Sequence, residues 1–577
     1  MKTSSELRTL LRSIDHKSYP AYKSLAGIYQ FPKFSLSIDH VQGDPFASPS
    51  SLHVEISHKG AAFPAFCYEK DCSRIALQDF LTRQFASQFE EYNFKAKGSG
   101  KSGLLSISHC GQEVLDRSAC QITDTKITAR FHAGFPAFGR TINAGELEKI
   151  LFDFLPACVE NSFFYAKLDK KKVEAAVFLS EDQEALRKIL KEENLTAFVA
   201  NGSILPRKSG VSDLPMKDSV PFCSPASMER TFTLPHKGTI SGMAIPRGIT
   251  LIVGGGYHGK STLLEALQTG VYNHIAGDGR EYVITDDTAV KLRAEDGRSI
   301  RGVNISLFIN DLPNKKDTSS FSTPDASGST SQAAGVMEHM EAGTRLFLID
   351  EDTSATNFML RDDFMQQVIS REKEPITPFL ERARDLYEKE GISTILVAGS
   401  SGAFFYIADK ILQMDCYCPV DITEHVKTLC KEHKAPRIQA PGFQTPDFQR
   451  TLPAYNRGKN RSGRDYRGNR SGGGNRHEHM KVKTLGRDSF SLDRETIDLR
   501  YVEQLVDSEQ TAALAYMLRY ALEQVIDGKR TVRQTAQILC DTLEKKGWDP
   551  FCSSYIPCGL AVPRKQELFA CLNRFRG

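Results

Sequence analysis

Residues 254–262 combine glycines, a lysine and two hydroxyl side chains at the spacing of a phosphate-binding loop. Four residues separate Gly254 from Gly259, and Lys260 and Ser261 follow directly. Glycines let backbone N–H groups turn toward phosphate oxygens, while the lysine reaches the β- and γ-phosphates and the serine hydroxyl binds Mg²⁺. The pattern predicts a site for a nucleoside triphosphate. Its predicted binding residues are Gly254, Gly255, Gly256, Tyr257, His258, Gly259, Lys260, Ser261 and Thr262.

The residues on either side of this loop predict the elements that must position it. Residues 249–253 read Ile-Thr-Leu-Ile-Val, a β-branched run typical of a buried strand. The residues after Lys260 are apolar at helical spacing, and a helix beginning there adds a favourable dipole for phosphate. A glycine-rich turn that matched by chance would lack both neighbours.

A pair of acids follows a second apolar run, at residues 345–351. Arg345-Leu-Phe-Leu-Ile-Asp350-Glu351 predicts a strand that ends in two carboxylates. Asp350 could hold Mg²⁺ beside the phosphate-binding loop, and Glu351 could activate the attacking water as a general base. Taken alone, an apolar run followed by two acids is also typical of a strand whose end reaches solvent.

The continuation of this run resembles a motif of ABC-type ATPases. Asp350-Glu-Asp-Thr-Ser-Ala-Thr-Asn357 is similar to their Asp-Glu-Pro-Thr-Ser-Ala-Leu-Asp stretch, and Ala326-Ser-Gly-Ser-Thr-Ser-Gln332 resembles their Leu-Ser-Gly-Gly-Gln signature. Ser327 and Gly328 align with that signature, whereas Gln332 is displaced. The resemblance implies that Ser327, Gly328 and Ser329 cap the γ-phosphate bound by the other subunit of a homodimer. By itself the segment would be interpreted as a flexible Ser/Gly loop.

Further stretches resemble the family of predicted ATPases of the ABC class over nearly the whole chain. They are Asp39-His-Val-Gln-Gly-Asp-Pro-Phe-Ala47, Glu374-Pro-Ile-Thr-Pro378 and Asp498-Leu-Arg-Tyr-Val-Glu-Gln-Leu-Val-Asp507. The resemblance implies an α/β fold with an ABC-type P-loop domain, an N-terminal α/β domain and a C-terminal helical region. It also implies ATP and Mg²⁺ as ligands and no transporter subunit.

The pattern of strands, helices and low-complexity stretches divides the 577 residues into five segments. We predict an N-terminal α/β domain at 1–200, a linker at 201–229, an ATPase domain at 230–445, an Arg/Gly-rich flexible segment at 446–485 and a helical region at 486–577. The expected helices lie near residues 7–14, 146–154, 182–192 and 511–526, with a half-buried strand at 52–57.

Two features depart from ordinary ABC enzymes. The strand predicted at 392–398 is followed by Gly399-Ser-Ser-Gly402, where the usual switch histidine is missing. Ser400 or Ser401 could contact the γ-phosphate, or the segment could be a plain turn. Asn310 is the candidate for the amide ligand on the metal side. The predicted catalytic residues are therefore Glu351, Lys260 and Ser400, and the predicted metal ligands are Ser261, Asp350 and Asn310.

Residues 450–483 carry a concentrated positive charge. The segment contains seven Arg and three Lys but only two acids, Asp465 and Glu478, so its net charge is +8, whereas the net charge of the whole chain is +3. Arginine- and glycine-rich segments with interleaved tyrosines bind single-stranded nucleic acid through phosphate contacts and stacking. A solvated linker is the alternative. We predict RNA as the partner, through this segment and the N-terminal domain.

Composition and the remaining motifs limit the other possibilities. Thirteen cysteines lack the paired spacing of zinc sites, and the sequence lacks an apolar run long enough to span a membrane. We therefore expect a cytoplasmic protein without a membrane partner. Gly98-Ser-Gly-Lys101-Ser-Gly103 lacks the first glycine and the strand of a nucleotide site, and predicts a hairpin tip or a basic loop that touches phosphates of a larger partner. The alternative functions are a non-hydrolysing ATP-dependent switch or scaffold and a transporter ATPase subunit.

Overall fold

The N-terminal region is built on a seven-stranded sheet. The computed structural model describes residues 1–362, 368–369, 373–433, 435–436, 440–455 and 480–576. Six strands pair in the order Lys2–Thr3, Gly27–Gln30, Ser35–His40, Ser50–Ser57, Lys126–Ala133 and Leu105–Ser106, and Cys120–Ile122 also pairs with Lys126–Ala133. The predicted strand at 52–57 is confirmed.

Helices cover this sheet and supply its aromatic core. They are Ser4–Ser13, Asp71–Tyr92, Ala144–Lys149, Leu155–Phe163 and Lys170–Glu192. Residues 150–154 continue the third of these as one wider turn, so the predicted helices near 7–14, 146–154 and 182–192 are confirmed. Phe85 packs against Phe89 and Phe131 with ring centroids 4.2 and 5.7 Å apart. The sheet and helices enclose one large core, as an α/β layer arrangement requires.

The central region contains a six-stranded sheet whose first five strands are parallel. Its strands lie in the order Val290–Leu292, Leu346–Asp350, Ser393–Val397, Ile249–Val253, Lys410–Asp415 and Cys418–Asp421. Leu396 pairs in register with Leu251, and Ile395 with Leu348. The fully buried strands explain their continuous apolar sequences. The α/β fold class is confirmed.

A second, antiparallel sheet lies on the other side of helix Lys260–Thr269. Its order is Glu229–Leu234, Gly238–Pro246, Leu195–Ala200 and Val283–Thr285. Leu263 and Leu267 of the helix share one core with Val199 of this sheet and Leu348 of the parallel sheet. Residues 195–200 therefore belong to the sheet that contains 229–246. Within the predicted linker 201–229, Arg207–Ser209 pairs with Ser212–Pro215.

The remaining elements of the central region flank the parallel sheet. Arg298–Val303 pairs with Phe321–Ala326, and the described residues that follow form helices at Gly328–Ala342, Thr356–Met359, Phe379–Glu390 and Thr423–Glu432. In the described part of the chain, helices long and apolar enough to cross a membrane are absent.

The C-terminal region is mainly helical, as predicted, but begins with a small sheet. Val482–Leu485, Ser489–Leu492 and Glu495–Asp498 form three antiparallel strands, followed by helices Ser508–Tyr520, Val532–Lys546 and Lys565–Arg574. Each strand has only four residues, too few to give a clear alternating pattern in the sequence. The predicted helix at 511–526 is confirmed to residue 520, beyond which a wider turn runs to residue 525.

Candidate active site

The phosphate-binding loop joins strand Ile249–Val253 to helix Lys260–Thr269. Gly254 and Gly259 have φ angles of +138° and +95°. A Cβ atom on Gly254 would lie 2.5 Å from the carbonyl oxygen of Met414, so glycine is required there. The Lys260 amine donates hydrogen bonds to the carbonyl oxygens of Gly254 and Gly255 at 2.7 and 2.8 Å. The loop therefore places the Lys260 amine close to the N-terminus of helix Lys260–Thr269.

Tyr257 and His258 occupy the outer part of this loop. Tyr257 has a φ of +64° and is fully exposed. His258 Nδ1 accepts a hydrogen bond from the Cys416 amide at 3.0 Å and lies 3.4 Å from Asp415 Oδ1. His258 thus ties the loop to the turn between the last two strands of the parallel sheet.

Glu351 is held by the turn that follows the neighbouring strand. Its Oε2 accepts hydrogen bonds from the amides of Gly399 and Ser400 at 2.7 and 3.0 Å, and its Oε1 accepts one from Ser400 Oγ at 2.7 Å. Strand Ser393–Val397 lies between Ile249–Val253 and Leu346–Asp350, so all three carboxyl ends meet at one edge of the sheet. In open α/β sheets this edge is where ligands bind.

The two acids differ in their electrostatic environment. Partial burial opposes ionisation of Glu351, but the hydrogen bonds from the Ser400 side chain and from the backbone of Ser400 and Gly399 outweigh it and lower its pKa. Burial raises the pKa of Asp350, against a hydrogen bond from the Asp352 amide and the charge of Lys291. The environment of Glu351 therefore favours its ionised form, whereas burial of Asp350 favours its neutral form and the positive charge of Lys291 opposes this effect.

Ser261 and Asp350 line the same cleft, whose volume is about 380 Å³. A hydroxyl and a carboxylate are hard oxygen donors of the kind that Mg²⁺ prefers, so these residues fit the metal that the sequence predicts. The cleft is also lined by Lys291, Arg487, Arg500 and Glu503, which are not among the site residues predicted from the sequence. The order of strands explains the omission of Lys291, because strand Val290–Leu292 lies beside Leu346–Asp350 despite the sequence separation.

Asn310 is not among the residues that line this cleft. Its side-chain amide donates a hydrogen bond to the carbonyl oxygen of Ser306 at 2.5 Å, and its backbone amide bonds to Pro375. The flanking Phe308 and Ile309 are buried in the core beside the parallel sheet. The structure therefore brings Ser261 and Asp350 together, but not Asn310 with them.

Ser327, Gly328 and Ser329 lie where helix Gly328–Ala342 begins. Ser327 Oγ is 3.0 Å from Thr330 Oγ1 and 3.4 Å from Ser329 Oγ, so its hydroxyl contacts stay within the first turn. Gln332 holds this turn against the segment after Glu351, because its side chain bonds to Ser354 Oγ and to the Ala355 amide, each at 2.9 Å. Ser327–Ser329 do not line the cleft at Ser261 within the same chain.

Comparison with known families agrees with this geometry. Residues 169–450 match a family described as the ABC_ATPase P-loop domain, and residues 4–166 match one described as the N-terminal region of ATPases of the ABC class. The chain belongs to the ABC class of P-loop ATPases. Residues 481–577 of this ABC-class chain match the family described as the MRB1590 C-terminal domain.

One curated relative and two solved structures show the extent of similarity. The chain is 31% identical over 254 residues to the uncharacterized protein MJ1628 of Methanocaldococcus jannaschii. The aligned region covers 41% of this chain and 54% of that protein. It thus spans about half the length of this relative. Two structures are similar at TM-scores of 0.23 and 0.25. The first is cbiO1 of Clostridium perfringens, part of the ABC transporter complex cbiONQ; it is 12% identical, and the match covers 36% of this chain and 92% of cbiO1. The second is the ADP conformation of MJ1267, an ATP-binding cassette of an ABC transporter; it is 11% identical, and the match covers 41% of this chain and 95% of MJ1267.

Proposed function

We propose that this chain binds ATP with Mg²⁺ and hydrolyses it at a site completed by a second copy of the chain. The observation that carries this proposal is the anchoring of Glu351 by Gly399 and Ser400, at the sheet edge shared with the phosphate-binding loop. A general base needs a fixed position and an ionised state, and these hydrogen bonds supply both. The fixed position of Glu351 supports hydrolysis over a non-hydrolysing switch.

Each residue of the site has a distinct task in this proposal. Lys260 offsets the negative charge on the β- and γ-phosphates, and the loop amides position them. Glu351 orients the attacking water and accepts its proton. Ser261 and Asp350 would hold Mg²⁺, which neutralises phosphate charge when it is bound. Ser400 positions Glu351 and so occupies the region in which ordinary ABC enzymes use a histidine.

The second copy would contribute its Ser327 turn. A serine hydroxyl and free amides at a helix N-terminus suit the γ-phosphate, yet these residues lie outside the cleft of their own chain. A two-fold symmetric dimer would bring each turn to the partner's loop and complete two sites at once.

A mixing experiment tests the shared site. Lys260→Ala and Ser327→Arg should each abolish ATP turnover, because each damages both sites of its own homodimer. Random mixing of the two variants should restore about a quarter of the wild-type rate, since half of the dimers gain one intact site. A mixture as inactive as its components would contradict a site shared in this way. Phosphate release measures turnover, and light scattering measures the mass with ATP and with ADP.

We propose RNA as the substrate on which this ATPase acts, and an exposed surface of the N-terminal region supports it. Three packed loops, 44–47, 94–103 and 137–140, contact one another through the bond from the Lys101 amide to Pro45 and the bond from the Ser99 amide to Ala137. They expose Phe46, Phe94 and Phe138, which are 62%, 50% and 65% exposed, beside the exposed Lys95 and Lys97 and the half-buried Lys101. Arg140 is also exposed and pairs with Asp44 at 3.1 Å. Aromatic rings between cations suit the bases and phosphates of a single strand.

The predicted basic segment at 450–483 lies mostly outside the described residues, which omit 456–479. Its two ends are described. Leu452 is buried, and Tyr455 packs against Phe575 at a ring distance of 6.3 Å. At the other end Met480 is buried in the same core as Leu452, so both described ends are anchored in the folded C-terminal region.

The RNA surface predicts a measurable loss of affinity. Phe46→Ala with Phe138→Ala should weaken binding of a single-stranded RNA by about 1–3 kcal/mol per lost stacking contact. Lys97→Ala with Lys101→Ala should lower the salt dependence of binding. Fluorescence anisotropy over a KCl series measures both effects. Lys171→Ala with Lys172→Ala is the matched control on an exposed helix start, and an equal effect of that control would overturn the assignment of this surface.

A further inference from the structure

The C-terminal region supplies one wall of the cleft at Ser261 and Asp350. The residues of that wall are Arg487, Asp488, Leu499, Arg500, Val502, Glu503 and Leu505, all from one stretch of 19 residues. This stretch includes part of the motif at 498–507 that resembles the ABC-class family, and the proposed hydrolysis does not use it. Its position beside the predicted metal ligands raises the question of what it binds.

Hydrogen bonds and ion pairs fix this wall to the ATPase core. Glu503 forms ion pairs with Lys291 at 3.1 Å and with Arg293 at 2.7 Å. The Gln504 amide donates to the carbonyl oxygens of Gln268 and Ala289, both at 3.1 Å, and Gln268 returns a hydrogen bond to the Glu503 carbonyl at 3.0 Å. Gln268 belongs to the helix that starts at Lys260, so the wall and the phosphate-binding loop share one rigid support.

The two arginines of the wall keep donors available. The side chains of Arg487 and Arg500 are 59% and 60% exposed. Arg500 uses Nε and Nη2 for Asp498, at 3.1 and 3.0 Å, while Arg487 Nε lies 3.8 Å from Asp488. A guanidinium group carries five N–H donors in a planar fork, so each arginine retains donors for a planar or tetrahedral oxyanion.

The charges of the cleft favour a phosphate that arrives with a metal. Glu503 is already paired with Lys291 and Arg293, whereas Asp350 lacks an ion pair in the described structure. A divalent cation held by Asp350 would lie in the cleft that the arginines also line, and the arginines could then bind a phosphate that accompanies the cation. Without an unpaired carboxylate such as Asp350 in the same cleft, these exposed arginines would be ordinary surface charges.

We infer that Arg487 and Arg500 are phosphate-binding residues contributed by the C-terminal region to the nucleotide site of the same chain. This inference rests on the proposed nucleotide site at the phosphate-binding loop. Together with Lys260, the arginines contact the terminal phosphates of metal-bound ATP, so that ATP is distinguished from AMP by the C-terminal region as well as by the loop. Arginine is suited to this task because its fork can bind two oxygens of one phosphate.

The test measures nucleotide binding in the Glu351→Gln background, where turnover does not interfere. Arg487→Ala with Arg500→Ala should weaken ATP–Mg²⁺ binding by about ten- to a hundredfold and leave AMP binding nearly unchanged, as measured by calorimetry. Lys483→Ala with Arg494→Ala removes the same charge from the same small sheet, outside the cleft, and should have little effect. Equal ATP affinity of the cleft variant and this control overturns the inference.

Two further measurements separate the possible failures. If Lys260→Ala abolishes ATP binding while the arginine variant does not, the inference fails and the proposed site stands. If Lys260→Ala leaves ATP binding unchanged, the proposed site itself fails. In the unmodified chain, ATP–Mg²⁺ should protect Arg487 and Arg500 from phenylglyoxal, as read by mass spectrometry. Equal labelling with and without ATP–Mg²⁺ would also overturn the inference, independently of any effect of substitutions on folding.

Discussion

Replacing Glu351 by glutamine is expected to lower ATP turnover by about 10²- to 10⁴-fold while ATP binding is retained. Glutamine keeps the shape of the side chain but cannot accept a proton from water. The glutamine oxygen can still accept from the Gly399 and Ser400 amides while its NH2 group donates to Ser400 Oγ, so the variant should remain folded. Steady-state phosphate release measures turnover, and calorimetry with ATP–Mg²⁺ measures binding.

The neighbouring exposed acid provides the matched control for this experiment. Asp352→Asn removes one negative charge at the adjacent position, but Asp352 is exposed and its side chain does not bond to Ser400. We expect near-normal turnover from it. Turnover that survives Glu351→Gln, or falls equally in Asp352→Asn, would contradict the role of Glu351 as the base.

The pH profile gives a second view of the same contact. Ser400 Oγ makes the largest contribution that lowers the pKa of Glu351, against the effect of burial. Ser400→Ala should therefore raise this pKa, and the loss of activity on acidification should begin at a higher pH than in the unmodified chain. A histidine-like role for Ser400 on phosphate would instead lower the rate at all pH values without moving this limb.

Replacing Arg117 by alanine is expected to destabilise the C-terminal region by about 3–5 kcal/mol. The Arg117 side chain is only 2% exposed, and it bonds to Glu509 at 2.5 Å and to Asp507 at 2.7 Å. Its removal leaves two carboxylates with little solvent and no cation. Asp507 also caps helix Ser508–Tyr520, so we expect the loss of stability to be greatest at the start of that helix.

The single tryptophan makes this effect measurable. Trp548 is buried in the C-terminal region, so its fluorescence during urea unfolding reports on that region alone. Arg12→Ala, which breaks an exposed pair with Glu148, should leave the unfolding midpoint unchanged. The penalty of Arg117→Ala should shrink as pH falls, because burial raises the pKa of Glu509 and this carboxylate therefore loses its charge on acidification.

A triple variant separates uncompensated charge from lost packing. Arg117→Met, Asp507→Asn and Glu509→Gln together remove all three charges, and asparagine still caps a helix. We expect this variant to be more stable than Arg117→Ala, since buried ion pairs can be replaced by neutral groups at little cost. A triple variant as unstable as Arg117→Ala would show that packing, not charge, holds the two regions together.

Several parts of the fold could be predicted because their signals are local. The strand before Gly254 and the helix after Lys260 follow from hydrophobic periodicity and from glycine placement over 16 neighbouring residues. The strand that ends at Asp350 is equally clear, since it is buried on both faces and reads as a continuous apolar run. The short strands at 482–498 were missed because four residues carry too little pattern.

The metal-side residues illustrate what local patterns cannot supply. Asn310 is the sequence-based candidate for the amide on the metal side, yet it is not among the residues that line the cleft. Lys291 does line the cleft, because strand Val290–Leu292 pairs with Leu346–Asp350. The order of strands in a sheet is a long-range property, and the spacing of residues along the chain does not reveal it.

By itself, the sequence determined the phosphate-binding loop, the acids at 350 and 351 and the ABC-class assignment, because each depends on residues that are adjacent along the chain. Only the tertiary structure decided that Ser400 holds Glu351 and that Arg487 and Arg500 line the same cleft as Asp350. These arrangements bring together residues 49 to about 150 positions apart, and they form only when parallel strands end at one edge and the C-terminal region docks beside it. Packing of distant segments, rather than local propensity, completes the site.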